Sequence, residues 1–385
     1  VTSGGSEVNN TDLSLMDRLY LNEGRGMKWS KSQQLLPSNS RPVVSSCVKP
    51  YDIDSDGDLD LFVGGRMRAG LYGAPTESYL LLNNGKGTFK PAKVPAFKEL
   101  GMVTDATWID LDEDDHKELV IVGEWMSPQI FKITGETVTD VTNEFTDDQF
   151  SGWYNSITTA DLNGDGMEDL ILGNHGLNSR FSATTEHPVT MHVNDFDQNG
   201  KAEQVVSIYE GEKAYPMALL HDLNKQMPGL RKRFLKYEDF GDKTMEDIFD
   251  PTVLDRSLIL QVNELRSLVL IQKNKRLVMQ PLPIEVQESP LYAILPIDVD
   301  NDGDLDLITG GNFYRAKPEV GRYDADRGDV LINDGNANFK AASLSTSGFA
   351  VTGEIRDMLW LKGRPGNRLL VSRNNDVPAM FIPRQ

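Results

Sequence analysis

An all-β repeat fold is predicted by three observations. A short acidic motif returns five times along 385 residues, short β-branched stretches flank each copy, and tight-turn signatures follow several of the copies. The first copy, residues 52–65, reads DIDSDGDLDLFVGG. It recurs as DLDEDDHKELVIVG from Asp110, DLNGDGMEDLILG from Asp161, DFDQNGKAEQVVS from Asp195 and DVDNDGDLDLITGG from Asp298.

Each element of the unit has its own reason. The stretches entering the motif, such as DATWIDL and NSITTADL, are short and β-branched, and those leaving it, LFVGG and LVIVG, are apolar runs that end on Gly. Both read as strands. A hairpin follows in YLLLNNGKGTFKPA and DVLINDGNANFKAA, where Asn-Asn-Gly and Asn-Asp-Gly supply the positive φ of a tight turn. LVLIQKNKRLVMQPL is a similar pair, and DRLYLNEGRGMKW near the start is another. Strand, acidic loop, strand and hairpin make a four-stranded antiparallel unit of roughly 40 to 50 residues, the period of a propeller blade. The expected architecture is therefore a seven-bladed β-propeller over residues 1–385, with six or eight blades as alternatives. Its first and last segments, DRLYLNEG and RLLVSRNND, would lie side by side and close the ring.

One stretch departs from this pattern. Between residues 218 and 256, Leu223, Met227, Leu230, Phe234 and Tyr237 are spaced by three and four, which predicts a helical insertion between strands of one blade. Pro228 and Gly229 divide it, and Thr244 with Asp247 marks the start of a further short helix. The basic cluster from Arg231 to Lys236 reads as a solvated helix face.

Composition narrows the function. Lys plus Arg number 39 against 58 Asp plus Glu, and a net charge of −19 argues against nucleic acid or an anionic membrane as partner. No run of about 18 apolar residues is present, so no membrane-spanning helix is expected. The single cysteine, Cys47 in VVSSCV, excludes a disulfide framework and reads as a small core residue. The start, VTSGGSEV, has neither Met nor a signal-peptide pattern, which suggests a piece of a longer protein.

The acidic motif carries its own chemistry. Counting its first Asp as position one, Asp or Asn fills positions one, three and five, Gly fills position six in four copies, and an acid fills position nine. Alternating carboxylates with a mid-loop Gly suit a hard cation that takes about six to eight oxygens, and Ca2+ fits better than Mg2+. The expected ligands are Asp52, Asp54, Asp56, Asp58 and Asp60 in the first loop, and Asp110, Asp112, Asp114, His116 and Glu118 in the second. Asp161, Asn163, Asp165, Met167 and Asp169 follow in the third, and Asp195, Asp197, Asn199, Lys201 and Glu203 in the fourth. Asp298, Asp300, Asp302, Asp304 and Asp306 complete the fifth. The residue at position seven contributes its backbone carbonyl. The second loop departs from the pattern, with Asp115 in place of Gly. An EF-hand is excluded, because position twelve is Val63, Ile121, Leu172, Val206 or Thr309 instead of an acid. Three to five Ca2+ ions are expected, and five would bring −19 to −9. Such loops usually bind weakly enough to need calcium-rich surroundings.

The repeat resembles the FG-GAP or VCBS repeat of integrin α-chain propellers and bacterial surface proteins. More closely, SGGSEV, DRLYLNEGRG, GMVTDATWIDLD, VGEWM, SGWYNSI, GNHGLNSR, KQMPGLRKRFLKYEDF, GGNFYRAKPEVGRYDA and SRNND resemble the C-terminal propeller of bacterial proteins that also carry an ASPIC/UnbV module. The resemblance implies an extracellular, outer-surface or periplasmic setting. It also implies that a further acidic loop precedes VTSGG.

If every loop joins the first two strands of a blade, a ligand would meet the opposite face. Its connections hold Arg66, Arg68, Tyr72, Trp125, Trp153, Asn174 and His175, then Asn178, Arg180, Tyr314, Arg315, Arg322 and Tyr323. Aromatic and Arg groups there suit a glycan or a protein ligand, and the rest of a longer chain is the other expected partner. The alternative is that these loops pack on one another, with Arg paired to Asp324 or Asp326. Enzyme signals are weak: the five His form no His-Glu-x-x-His pair, and no Gly-x-Ser-x-Gly elbow or phosphate loop occurs. A binding or scaffold module is the leading expectation. A polysaccharide lyase with His175 beside Tyr72 or Arg180 is the second, and a purely structural domain the third.

Overall fold

The computed structural model describes residues 1–5, 12–24, 27–36, 43–135, 137–317, 320–364 and 366–382. The end of SGGSEV, residues 25–26 in DRLYLNEGRG and residues 318–319 in AKPEVG lie outside them.

A two-stranded hairpin, β1 (Tyr20–Asn22) and β2 (Trp29–Lys31), comes first. Sheet A follows, built of β3 (Val44–Tyr51), β4 (Asp60–Met67), β5 (Tyr79–Leu82) and β6 (Lys90–Pro91) in sequential antiparallel order. Sheet B has β7 (Met102–Ile109), β8 (Glu118–Met126), β9 (Gln129–Thr134) and β10 (Thr137–Asp140), a short helix α1 (Thr142–Phe145), and β11 (Gly152–Trp153) paired back to β8.

Sheet C begins with β12 (Ser156–Ala160) and β13 (Asp169–Gly173) and is then interrupted. Residues 174–267 form a separate four-stranded sheet of β14 (Val189–Asn194), β15 (Glu203–Glu210), β16 (Lys213–Pro216) and β17 (Leu258–Val262), in the order 16-15-14-17. Short helices α2 (Leu220–Gln226), α3 (Met245–Ile248) and α4 (Pro251–Leu254) lie between β16 and β17. Only then do β18 (Leu268–Lys273) and β19 (Arg276–Pro281) complete sheet C, with β18 pairing β13. Sheet D is β20 (Leu291–Ile297), β21 (Asp306–Gly311), β22 (Asp329–Asn333) and β23 (Phe339–Ala341). After α5 (Leu344–Ser347), sheet E has β24 (Ile355–Leu361), β25 (Arg368–Arg373) and β26 (Ala379–Phe381).

The first strands stand side by side, β3 against β7, β7 against β12, β12 against β20 and β20 against β24. The five sheets therefore fan out face to face. This explains the unbroken apolar runs after the acidic loops: a strand covered on both faces has no polar side. Leu119 and Ile121 of β8 join Phe62, Leu80 and Phe97 in the layer toward sheet A. Val120 and Val122 of the same strand join Ile157, Leu170 and Leu172 in the layer toward sheet C. Ile171 then faces sheet D with Leu307 and Leu331. The Gly that closes each run is explained by close approach: a Cβ on Gly311 would stand 1.9 Å from the carbonyl oxygen of Pro290. The N-terminal part packs on the outer face of sheet A, where Leu36 and Val43 meet Val63, Tyr79 and Leu81.

The inserted sheet is covered on both faces as well. Val189, Met191 and Val193 pack on Val44, Met67, Met102 and Trp125 of sheets A and B. On its other side, Phe196 and Val205 meet Leu223, Met227, Leu230 and Phe234 of the helical stretch. Tyr237, placed by its spacing on the same apolar stripe, is instead 55% exposed, because the chain breaks at Pro228 into 3-10 turns. Thr244 and Asp247 form a capping box at the start of α3. Cys47 is buried between sheets A and B, and burial pushes its thiol up to about 12.

Candidate metal loops and the face opposite them

All five acidic loops join antiparallel neighbours: β3–β4, β7–β8, β12–β13, β14–β15 and β20–β21. Four belong to the row of sheets. The Asp195 loop belongs to the inserted sheet, so it does not share their row, contrary to the expectation that all lie together on one face of a ring. The physical reason is that the motif fixes only a local strand–loop–strand unit, which can fold wherever two strands pair.

One hydrogen-bond scaffold builds every loop. The position-one aspartate accepts from the backbone N–H of position six at 3.1 Å in Asp52, 3.0 Å in Asp110 and Asp161, 2.7 Å in Asp195 and 3.3 Å in Asp298. Position five accepts from the N–H of position seven in all five: Asp56 from Asp58, Asp114 from His116, Asp165 from Met167, Asn199 from Lys201 and Asp302 from Asp304. Position six has positive φ throughout, from 67° at Asp115 to 103° at Gly303. The acid at position nine is buried and reaches back to the N–H of position two. Asp60 accepts from Ile53, Glu118 from Leu111, Asp169 from Leu162, Glu203 from Phe196 and Asp306 from Val299. In sheets A, C and D its second oxygen also accepts from the third strand, at Asn83, Gln272 and Asn333.

Position nine is thus first a structural tie, a role the spacing alone does not reveal. Position four was also missed: Ser55, Glu113, Gly164, Gln198 and Asn301 all have φ between 60° and 70°. Only Gly164 and Asn301 are residue types that signal this.

The side chains converge as cation ligands would. Carboxylate oxygens lie within 4.8 Å of one another in Asp52, Asp54 and Asp60, in Asp110, Asp112 and Glu118, in Asp195, Asp197 and Glu203, and in Asp298, Asp300 and Asp302. The Asp161 loop differs, because position three is Asn163, whose Nδ2 donates to Asp165 Oδ2 at 3.0 Å. One carboxylate oxygen each of Asp58, Asp112 and Glu118 is shielded from water and has no hydrogen-bond donor among the described residues. Electrostatics reflects the crowding. Burial, followed by neighbouring carboxylates, raises Asp54, Asp58 and Asp300. Burial pushes Glu118 up to about 7 and Asp169 to about 6, against the hydrogen bonds that lower them. These groups could hold a metal ion. In the second loop Lys132 Nζ also enters, bonding Asp112 and, at 2.6 Å, Asp114 Oδ2.

The opposite face is not the open rim that the sequence suggests. The inserted sheet stands on it, and several expected ligand groups are spent inside. Asn174 is fully buried; its Oδ1 accepts from Trp153, and its Nδ2 donates to the carbonyls of Glu264 and Arg266. Trp125 and Tyr323 are 7% exposed. Trp153 packs edge-on against Trp125, His175 and Phe181, and His175 also meets Tyr323. Burial pushes His175 down to about 4. Tyr72 donates to Glu124 at 2.8 Å and accepts from Trp125, and Arg66 pairs with Glu124. These contacts replace the expected pairing of His175 with Tyr72 or Arg180 as an acid–base unit. Arg68, Asn178, Arg180, Arg315 and Arg322 remain exposed. Arg322 stacks 3.9 Å over the ring of Tyr314 and lies 3.7 Å from Asp324. Two internal pairs went unread in the sequence, Arg266 on Glu264 and Arg356 on Glu354. Their signal is the spacing Glu-x-Arg in ELR and EIR.

The geometry defines a class: stacked antiparallel sheets whose strands are joined by acidic, cation-shaped loops. A model of the FG-GAP-like repeat matches residues 52–121 and again 110–172. Two FG-GAP-like repeats are therefore present across sheets A, B and the start of C, and the fold is propeller-like. No curated protein matches the chain. No helix among the described residues is long and apolar enough to cross a membrane.

Proposed function

We propose that this chain is a calcium-stabilised propeller that serves as a binding or scaffold module of a bacterial surface protein, of the kind associated with ASPIC/UnbV modules. Sheets A to E are its blades, and the β1–β2 hairpin on the outer face of sheet A belongs to a further one, which favours six blades over seven. The observation that carries the calcium reading is the shared loop scaffold, with three acids converging in the loops that begin at Asp52, Asp195 and Asp298. Hard oxygen ligands at that density suit Ca2+, and an extracellular setting supplies it. Ligand contact falls to the exposed groups Arg68, Asn178, Arg180, Arg315 and Arg322, whose chemistry suits an anionic glycan or an acidic peptide. A lyase reading is disfavoured by His175, which is enclosed by aromatic rings and whose basicity burial lowers.

Melting with and without chelator tests the metal. An ion at one hundred times its dissociation constant adds about 2.7 kcal/mol per site. The midpoint should fall in EDTA and recover with Ca2+ more than with Mg2+; an unchanged midpoint would sink the calcium reading. A glycan-array screen with product analysis addresses the ligand, and release of unsaturated sugars would reverse the non-enzymatic reading.

A further inference from the structure

We infer that Lys132 is the resident cation of the Asp110 loop, an internal ammonium standing where the sister loops take a metal ion. The inference rests on the calcium reading of those sister loops. Lys132 Nζ bonds Asp112 and Asp114 and lies 3.9 Å from Glu118 Oε1, which are the acids at positions three, five and nine. An ammonium has three N–H donors and meets three carboxylates there.

Strand register sets this loop apart from those of sheets A, C and D. Leu119 pairs with Phe131, which sets Lys132 across from Glu118. The same register sets Leu82 across from Asp60, Ile271 across from Asp169 and Ile332 across from Asp306. Three apolar residues thus stand where sheet B has lysine. A second difference is independent of the first. In sheets A, C and D the second oxygen of the position-nine acid takes a backbone N–H from the third strand. In sheet B that position is Glu118, one methylene longer, and its Oε1 is buried without a hydrogen-bond donor among the described residues, 3.9 Å from the ammonium. A second ammonium lies close by, since Lys275 of the neighbouring sheet donates its Nζ to the backbone carbonyl of Asp112. Two ammonium groups bring the charge of one divalent ion to a loop that also breaks the pattern at Asp115.

The test counts ions on the chelator-stripped full chain by calcium titration calorimetry and metal analysis after dialysis. Four proteins are compared: wild type, Asp54→Asn, Asp110→Asn and Lys132→Ile, with Lys132→Gln as substitute if the isoleucine variant does not fold. Asp54→Asn should lose one ion, Asp110→Asn should match the wild type, and Lys132→Ile should gain one. A wild type that binds no calcium ends the calcium reading itself. If the wild type binds ions and Asp110→Asn loses one, or Lys132→Ile gains none, the lysine assignment alone is overturned.

Discussion

Replacing Asp306 by Ala should be among the most damaging single changes in the protein, even with all metal removed. Asp306 is fully buried at the start of β21, and its two oxygens hold two different segments: Oδ2 accepts from Val299 N and Oδ1 from Asn333 N, both at 2.9 Å. The first bond closes the acidic loop and the second ties it to the third strand of sheet D. Alanine leaves both N–H groups without this acceptor: Asn333 is buried, so its orphaned donor costs about 1 to 3 kcal/mol, whereas Val299 is 40% exposed and its N–H turns to water. Loss of the side chain adds a small cavity, so the total is about 3 kcal/mol. Asp306→Asn keeps the shape and one acceptor but turns an NH2 toward the other donor, and should lose about half as much. Urea unfolding followed by tryptophan fluorescence, in EDTA, separates this tie from any ligand role. A loss below about 1 kcal/mol for the alanine variant would show that the loop is held by something other than this carboxylate.

Two further outcomes follow from buried groups. His175 titrates at about 4 in the fold and about 6.5 when unfolded, so the folded state prefers it neutral. Its contribution is complete above pH 6.5 and is lost as pH falls toward 4, by up to about 3 kcal/mol; the wild type should lose more stability than His175→Phe between pH 7 and 4.5, and parallel losses would refute this. Gly311→Ala places a methyl against the Pro290 carbonyl and should cost about 2 kcal/mol, read as a lowered urea midpoint; an unchanged midpoint would mean that β20 and β21 separate freely.

What was legible in the sequence was whatever is local. The acidic loops could be read because their Asp, Asn and Gly residues each answer a requirement met within nine positions, and the hairpins because two turn residues decide them. Non-local pairing could not be read. The Asp195 copy has the same local code as its relatives, yet it sits in an inserted sheet, because β13 passes over residues 174–267 to find β18. That insertion also explains the fate of the aromatic residues. Tyr72, Trp125 and Trp153 lie in stretches that read as surface connections in the sequence, and they are covered by Val189, Met191 and Val193 from a segment whose position the sequence does not disclose. Lys132 was missed for a related reason. Its meaning appears only when strand register sets it beside Glu118, on a side chain fourteen residues past the motif it serves.

The interruption of sheet C also orders events during synthesis. When β12 and β13 leave the ribosome, the edge that β18 will occupy is vacant, and it stays so until the whole of the inserted sheet has been made. Closing so long a loop is slow, and an open apolar strand edge invites wrong partners while it waits. Rapid local folding of the inserted sheet, drawing its ends Asn174 and Ser267 together through their 3.0 Å hydrogen bond, would shorten that exposure. If the Asp195 loop takes the ion proposed for it, that loop would also be an aid to timing, since an ion bound there would help to complete the inserted sheet before β18 pairs with β13.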